Sequence, residues 1–360
     1  MRRFGLLKID WWLLTPVVIL LVISLTTLLS LSPSFFYNQL FTMALGLGGF
    51  FVFSQIPHET LKRLSVPMYI ISLLLLVVVL VIGFEAKGAT RWISLFGTSL
   101  QPSEVLKPFL AVTFATLVAR RDNASIRSFF MSLILLSPVF ILIALQPDLG
   151  NALIYAIVIF FVLLVYGFPL KFFIFSALPF ILISPILWTA LHDYQRQRLL
   201  TFLNPTSDPL GTSYNVIQAM IAVGSGMFMG KGLSQGTQSG LNFLPERHTD
   251  FIFATISEGM GFIGSFLVVA CLFFLCFRIY IIFINTEDTT KKLFAAFAFA
   301  FLFIHFMINI GMNVGLLPIV GVTLPFVSYG GSSLLSNFIL LGMLSSIRSG
   351  HKSQSGLEIR

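Results

Sequence analysis

Four acidic side chains stand within or beside long apolar runs and are the first candidates for chemistry: Glu104, Asp148, Asp250 and Glu258. An ionised group placed in a bilayer costs roughly 2.5–3.5 kcal/mol, so each needs a partner or a task. Glu104 and Lys107 are three apart, the spacing that brings two side chains onto one helix face, and they read as an intramembrane ion pair, structural or functional. Asp148 lies between Pro147 and Gly150, where a carboxylate caps the first amides of a helix. Glu258 follows Asp250 by two turns, and a polar contact with another helix is its simplest role. Asp250 differs from all three. It is preceded by FLPERHT, which brings Glu246, Arg247 and His248 close in sequence, and followed by the apolar FIFA. A carboxylate held there and partly desolvated has its pKa raised toward that of a general base, whereas a nearby Arg or metal ion lowers it. Base catalysis or ion coupling at Asp250 is therefore expected ahead of simple capping.

The elements that position these acids follow from composition. The 360 residues carry 10% charged and 57% hydrophobic types, with 40 Phe, where a soluble domain has about a quarter charged. That is an all-α polytopic membrane protein. About 20 apolar residues cross a bilayer as a helix, and this ruler predicts about ten transmembrane helices, at 11–31, 38–56, 66–84, 103–119, 128–146, 149–166, 170–190, 251–283, 291–316 and 329–347. The whole chain, 1–360, reads as one integral membrane domain. Its one long polar segment, 191–250, is a large extracytoplasmic loop before the eighth span, within which Tyr214 to Met229 is apolar enough for a helix at the membrane surface. Arg2, Arg3, Lys62, Arg63, Arg120, Arg121, Lys291 and Lys292 fall on one side, against Lys87, Arg91 and the loop's cations on the other. Both termini are thus expected in the cytoplasm, with the long loop outside.

The formal charge of +8 is explained by that topology, and it excludes a nucleic-acid partner, which would need a continuous basic face. Cys271 and Cys276, five apart in one apolar run, read as packing or lipid-facing residues rather than a disulfide or metal pair. Gly226 to Gly232 has one residue too few for a phosphate loop and Gly where the metal-binding hydroxyl belongs, so no nucleotide is expected. Gly232 to Gly236 has the spacing of a hydrolase nucleophile elbow without flanking strands. His58-Glu59 lacks a second His four positions on, and His305 reads as a packing residue bonded to a neighbouring helix. Gly311 and Gly315 have the spacing of close helix packing.

FLPERHTDFIFA at 243–254 and GLLPIVGVTLPFVSYGGSS at 315–333 resemble the SEDS family of shape, elongation, division and sporulation proteins. Supporting blocks are GATRW at 88–92, QPSE at 101–104, QPDLG at 146–150, and Lys231-Gly232 before Gly236-Thr237-Gln238. The blocks run in order over nearly the whole chain, and QPDLG with FLPERHTDFIFA is closer to the elongation branch, RodA, than to the division branch, FtsW. One departure is that the family usually has two acids where this chain has Glu258-Gly259, so no role carries over for the second.

The resemblance implies a peptidoglycan glycosyltransferase that polymerises lipid II into β-1,4 glycan strands at the outer face of the bacterial cytoplasmic membrane during elongation and shape maintenance. It also implies a class B penicillin-binding protein as transpeptidase partner, and other membrane proteins of the elongation complex. Asp250 corresponds to the family's essential acid, and Glu104 with Lys107 to its ion pair. Under that reading the outward cations Arg91, Arg196, Arg198, Lys231 and Arg247 are candidates to bind the substrate's pyrophosphate. Asp148, His248, Glu258, Ser328 and Ser332 are candidate supporting residues, and the turn at 328–333 either presents amides to an anion or simply starts a helix. Asp250 is the possible ligand of a divalent cation, Mg or Mn. A lipid II flippase and a non-catalytic scaffold for a penicillin-binding protein are the rival readings.

Overall fold

The structure, a computed structural model, describes residues 9–86, 89–95, 98–121, 124–204, 213–241 and 243–354. Arg2, Arg3, Lys87, Gly88 and part of the long loop, all used above, lie outside the described residues. The first half comprises α1 (Trp11–Leu31), α2 (Pro33–Gln55), the short α3 (His58–Arg63) and α4 (Ser65–Ile82), then three strands and α5 (Pro102–Val105), α6 (Lys107–Ala119), α7 (Ile126–Leu145) and α8 (Leu149–Tyr166). The second half has α9 (Leu170–Ala190), then α10 (Asp193–Leu203), α11 (Tyr214–Ser225) and α12 (Thr237–Gly240) within the long loop, then α13 (Ile252–Ile284), α14 (Thr289–Asn313) and α15 (Gly331–Gln354).

By length and apolar composition α1, α2, α4, α7, α8, α13 and α14 are able to cross a membrane. Three shorter apolar stretches, in α6, in α9 at Leu170–Pro185 and in α15 at Gly331–Ile347, occupy the remaining predicted positions. The chain is a multi-pass membrane protein. In α14 67% of the most apolar window is buried, against 17% in α2, so α14 is the central element and α2 faces lipid over much of its length. Phe294, Phe297, Phe301 and His305 pack α14 against its neighbours.

One element was not anticipated. β1 (Phe84–Ala86), β2 (Ala89–Leu95) and β3 (Thr98–Leu100) form an antiparallel sheet in the order β1-β2-β3, pairing Phe84 with Trp92 and Ile93 with Leu100. Thr90, Trp92 and Ile93 are good strand residues, but the segment is too short to stand out between two spans. The fourth predicted span is also divided: α5 ends before Leu106, and Lys107 begins α6 with Pro108 beside it. In the long loop α11 stops at Ser225 rather than reaching Met229, because Gly224 and Gly226 flank its last residue and Met227 turns to φ 48°.

Candidate active site

Asp250 sits one residue before Phe251, the cap of α13, and its main chain is gripped by α14. Asn309 Nδ2 donates to the carbonyl oxygens of Asp250 (3.1 Å) and Val322 (2.6 Å). Asn313 Nδ2 donates to the same Asp250 carbonyl (3.0 Å), while Asn313 Oδ1 accepts from Ala254 N (3.0 Å). Both asparagines are fully buried. The segment between α14 and α15 closes over this point: Tyr329 N donates to His248 O (2.9 Å) and Ser328 Oγ to Thr249 O (2.7 Å). Gly321, at φ 71°, lies so near Asp250 that a Cβ there would be 3.5 Å from Oδ2. His248 stacks on Phe35 at 4.2 Å between ring centroids, which anchors the loop to the start of α2.

The start of α8 packs on the same segment: Gly150 leaves room for Val320, whose Cγ1 would be 2.4 Å from an added Cβ, one residue before Gly321. Asp148 caps α8 and does more: its carboxylate accepts from Arg91 (3.0 Å), from Gln101 Nε2 (2.7 Å) and from Asn151 Nδ2 (2.9 Å). Arg91 arrives on β2, and Gln101 is fixed by donation of its amide to Ser332 Oγ (2.9 Å), so the unforeseen sheet is what brings both to α8. Tyr194 donates to Pro147 O (3.0 Å), and the Arg198 guanidinium lies over its ring at 5.4 Å. Arg91 and Arg198 therefore converge on the Pro147–Asp148 corner.

Three further candidate cations, like Arg91, are taken up by the chain itself. Arg196 binds the carbonyls of Trp188 (2.9 Å) and Thr189 (2.6 Å) at the end of α9, with Asp193 3.9 Å away. Arg247 donates to the carbonyls of Ser239 and Gly240. Its partial burial draws the guanidinium pKa below its usual value. Lys231 is 3.6 Å from Glu258. Glu258 makes its polar contact with another helix, and that helix is α12 of the loop: it accepts from Gln238 N, Ser239 N and Ser239 Oγ at 2.9, 2.9 and 2.7 Å. The loop reaches it because α13 breaks at Gly261 (φ 67°, ψ −158°) and Gly230 packs against that break. Gly311 and Gly315 likewise pack on Leu317 and Met220, not on the face of a neighbouring span.

Glu104 and Lys107 form the expected pair at 2.7 Å, both buried. Lys107 also lies 2.6 Å from His305 Nε2, and the His305 ring bonds Phe301 O through Nδ1 (2.7 Å). The family model described as cell cycle protein, covering FtsW, RodA and SpoVE, matches residues 5–353. This chain belongs to that family, the SEDS proteins. Among curated relatives, peptidoglycan glycosyltransferase MrdB of Escherichia coli K12 is 40% identical over 87% of this chain and 85% of its own length. Probable peptidoglycan glycosyltransferase FtsW of Hydrogenovibrio crunogenus is 36% identical over 93% and 90%. Among solved structures, a chain from a work on the coordination of polymerization and crosslinking by a peptidoglycan synthase complex has TM-score 0.81 and 31% identity, covering 94% of this chain and 97% of that one. The rod shape determining protein RodA of Thermus thermophilus has TM-score 0.73 and 27% identity, covering 95% and 97%.

In this SEDS protein no three His, Cys, Asp or Glu side chains gather among the described residues, so the chain builds no metal cage of its own there. Asp250 offers a divalent ion a carboxylate, the hard oxygen donor that Mg²⁺ takes. Sequence reasoning missed Asn309, Asn313, Gln101 and Gly321. Asn309 and Asn313 were detectable as amides four apart within an apolar span, but nothing in their spacing points to Asp250.

Proposed function

We propose that this SEDS protein is a peptidoglycan glycosyltransferase that polymerises lipid II at the outer face of the bacterial cytoplasmic membrane. Both termini lie inside and the 191–250 loop outside, which the distribution of Lys and Arg supports. The observation that carries the reading is the carboxylate of Asp250, held by a gripped main chain at the edge of the outer loop, in a chain whose relatives are named for this activity. The acceptor sugar's 4-hydroxyl gives its proton to Asp250 as its oxygen bonds to the donor's anomeric carbon. The bond from that carbon to the polyprenyl diphosphate breaks with inversion, turning an α-linked donor into a β-linked product.

The departing diphosphate needs its charge compensated, and the cation best placed for it is Arg198, exposed over the Tyr194 ring, since Arg91 is paired with Asp148 and Arg196, Arg247 and Lys231 bind the chain. A divalent ion, Mg or Mn, held by Asp250 and the diphosphate would add to that compensation. The partner is a class B penicillin-binding protein, a proposal supported by the synthase complex to which the fold is similar, and the elongation complex supplies further membrane partners.

The test is glycan formation from purified lipid II by the protein co-purified with its cognate penicillin-binding protein, comparing wild type with Asp250→Asn, each with and without chelator. Polymer from wild type that is lost in the variant is expected. Equal polymer from both would return the flippase and scaffold readings, and an undiminished yield in chelator would remove the metal.

A further inference from the structure

Two fully buried amides of α14, Asn309 and Asn313, take no part in the acid–base chemistry. α13's first i→i−4 hydrogen bond runs from Thr255 N to Phe251 O (3.1 Å), and Ala254 N and Asp250 O are the donor and acceptor of the bond that would extend the helix by one more residue. Both turn instead to Asn313, whose carboxamide enters from α14: Oδ1 takes the Ala254 amide at 3.0 Å and Nδ2 the Asp250 carbonyl at 3.0 Å. The second lone pair of that carbonyl is filled by Asn309 at 3.1 Å, whose other amide proton goes to Val322 O at 2.6 Å. Asn313 Nδ2 also bonds Asn309 O at 2.8 Å, which locks the pair to each other.

The consequence is geometric. With its carbonyl fixed from two sides, the Asp250 peptide cannot rotate, and Asp250 is kept outside the helix that it precedes. Through Val322 the same pair fixes the neighbouring strand of chain, whose Gly321 carries no side chain to meet Asp250 Oδ2. α13 has no side-chain cap of its own at Phe251, so the bridge from α14 also serves one of its first-turn amides, Ala254 N.

We propose that Asn309 and Asn313 are positioning residues for glycosyl transfer: they act through the Asp250 peptide to set the carboxylate in line with the acceptor hydroxyl, and touch neither substrate. This rests on the glycosyltransferase reading above. A base displaced by an ångström loses about 10²-fold in rate, whereas lipid II binding, made by other groups, is unaffected.

The experiment uses the full chain with its penicillin-binding protein partner and measures kcat and KM for lipid II in Asn309→Leu, Asn309→Ala and Asn313→Ala, alongside the melting temperature and the yield of co-purified partner. The expected result is kcat lower by about 10- to 100-fold with KM within about two-fold of wild type, in variants that still melt cooperatively and hold the partner. Unchanged kcat with a lower melting temperature overturns the proposal, as does a rise in KM alone. If every variant loses its fold or its partner, the pair is structural and the proposal fails. Failure of the underlying reading looks different: wild type makes no glycan, or Asp250→Asn makes as much as wild type.

Discussion

Asp250 and Glu258 are eight residues apart at the start of one helix, and the protein holds them in opposite ways. At Glu258 the carboxylate is what is gripped: it is completely buried, and amides, hydroxyls and Lys231 from the 231–239 segment surround its oxygens. At Asp250 the grip falls on the main chain, through two asparagines of α14, while the half-buried side chain lies beside Gly321. Fixed donors on a carboxylate tie one segment to another, and a fixed main chain sets where its side chain stands. The Glu258 contacts hold the loop to α13, and the asparagine bridge sets the position of Asp250.

Asp250→Asn gives the sharpest test of that contrast. Glycan synthesis should fall by about 10²–10⁴-fold with the melting temperature within a few degrees of wild type. A large loss of stability instead would make Asp250 an anchor like Glu258. The converse change, Glu258→Ala, strands several buried donors and should cost about 2–4 kcal/mol, read as a lower melting temperature and faster proteolysis within 231–240. If that variant loses activity outright while remaining as stable as wild type, the distinction collapses.

Gly321→Ala adds one methyl at a positive φ beside the carboxylate. Strain of about 1–2 kcal/mol is expected, together with roughly ten-fold lower kcat, and a variant equal to wild type would separate Gly321 from the site.

The last effect lies far from both acids and leaves catalysis untouched at neutral pH. His58, buried in α3, has its pKa pulled down to about 4 by burial, reinforced by Lys291. A folded-state value below the unfolded one means that this histidine's stability contribution is complete above pH 6.5 and is lost as pH falls toward 4. The melting temperature should therefore drop on acidification through that window, by the equivalent of at most about 1.4 kcal/mol per pH unit, and less in His58→Phe. Identical profiles for the two proteins would sink the prediction.

Much of this architecture is legible in one dimension because a bilayer imposes a length. Runs of about 20 apolar residues punctuated by Pro, Gly and charge give α1, α4, α7, α8, α13 and α14 nearly where the structure has them. The i,i+3 spacing gave the Glu104–Lys107 pair, and Pro147-Asp148 gave the cap of α8. The sheet at 84–100 was not legible, because three short strands within a connection carry no periodicity that a span-length ruler detects. Nor was the destination of Glu258, because the loop reaches α13 only through a break at Gly261 and the close approach of Gly230.

By itself, then, the sequence determined that the chain is a membrane protein, where its apolar helices run, and that Asp250 closes the one long polar loop, all of them consequences of local composition. Tertiary structure alone decided what each polar group does. Arg91, Arg196, Arg247 and Lys231 bind other parts of the chain, while Arg198 lies exposed over Tyr194. Asn309 and Asn313, 59 and 63 residues from Asp250, are the ones that set its peptide. A hydrogen bond is made or lost within a few tenths of an ångström, and that accuracy exists only after helices far apart in the chain have packed.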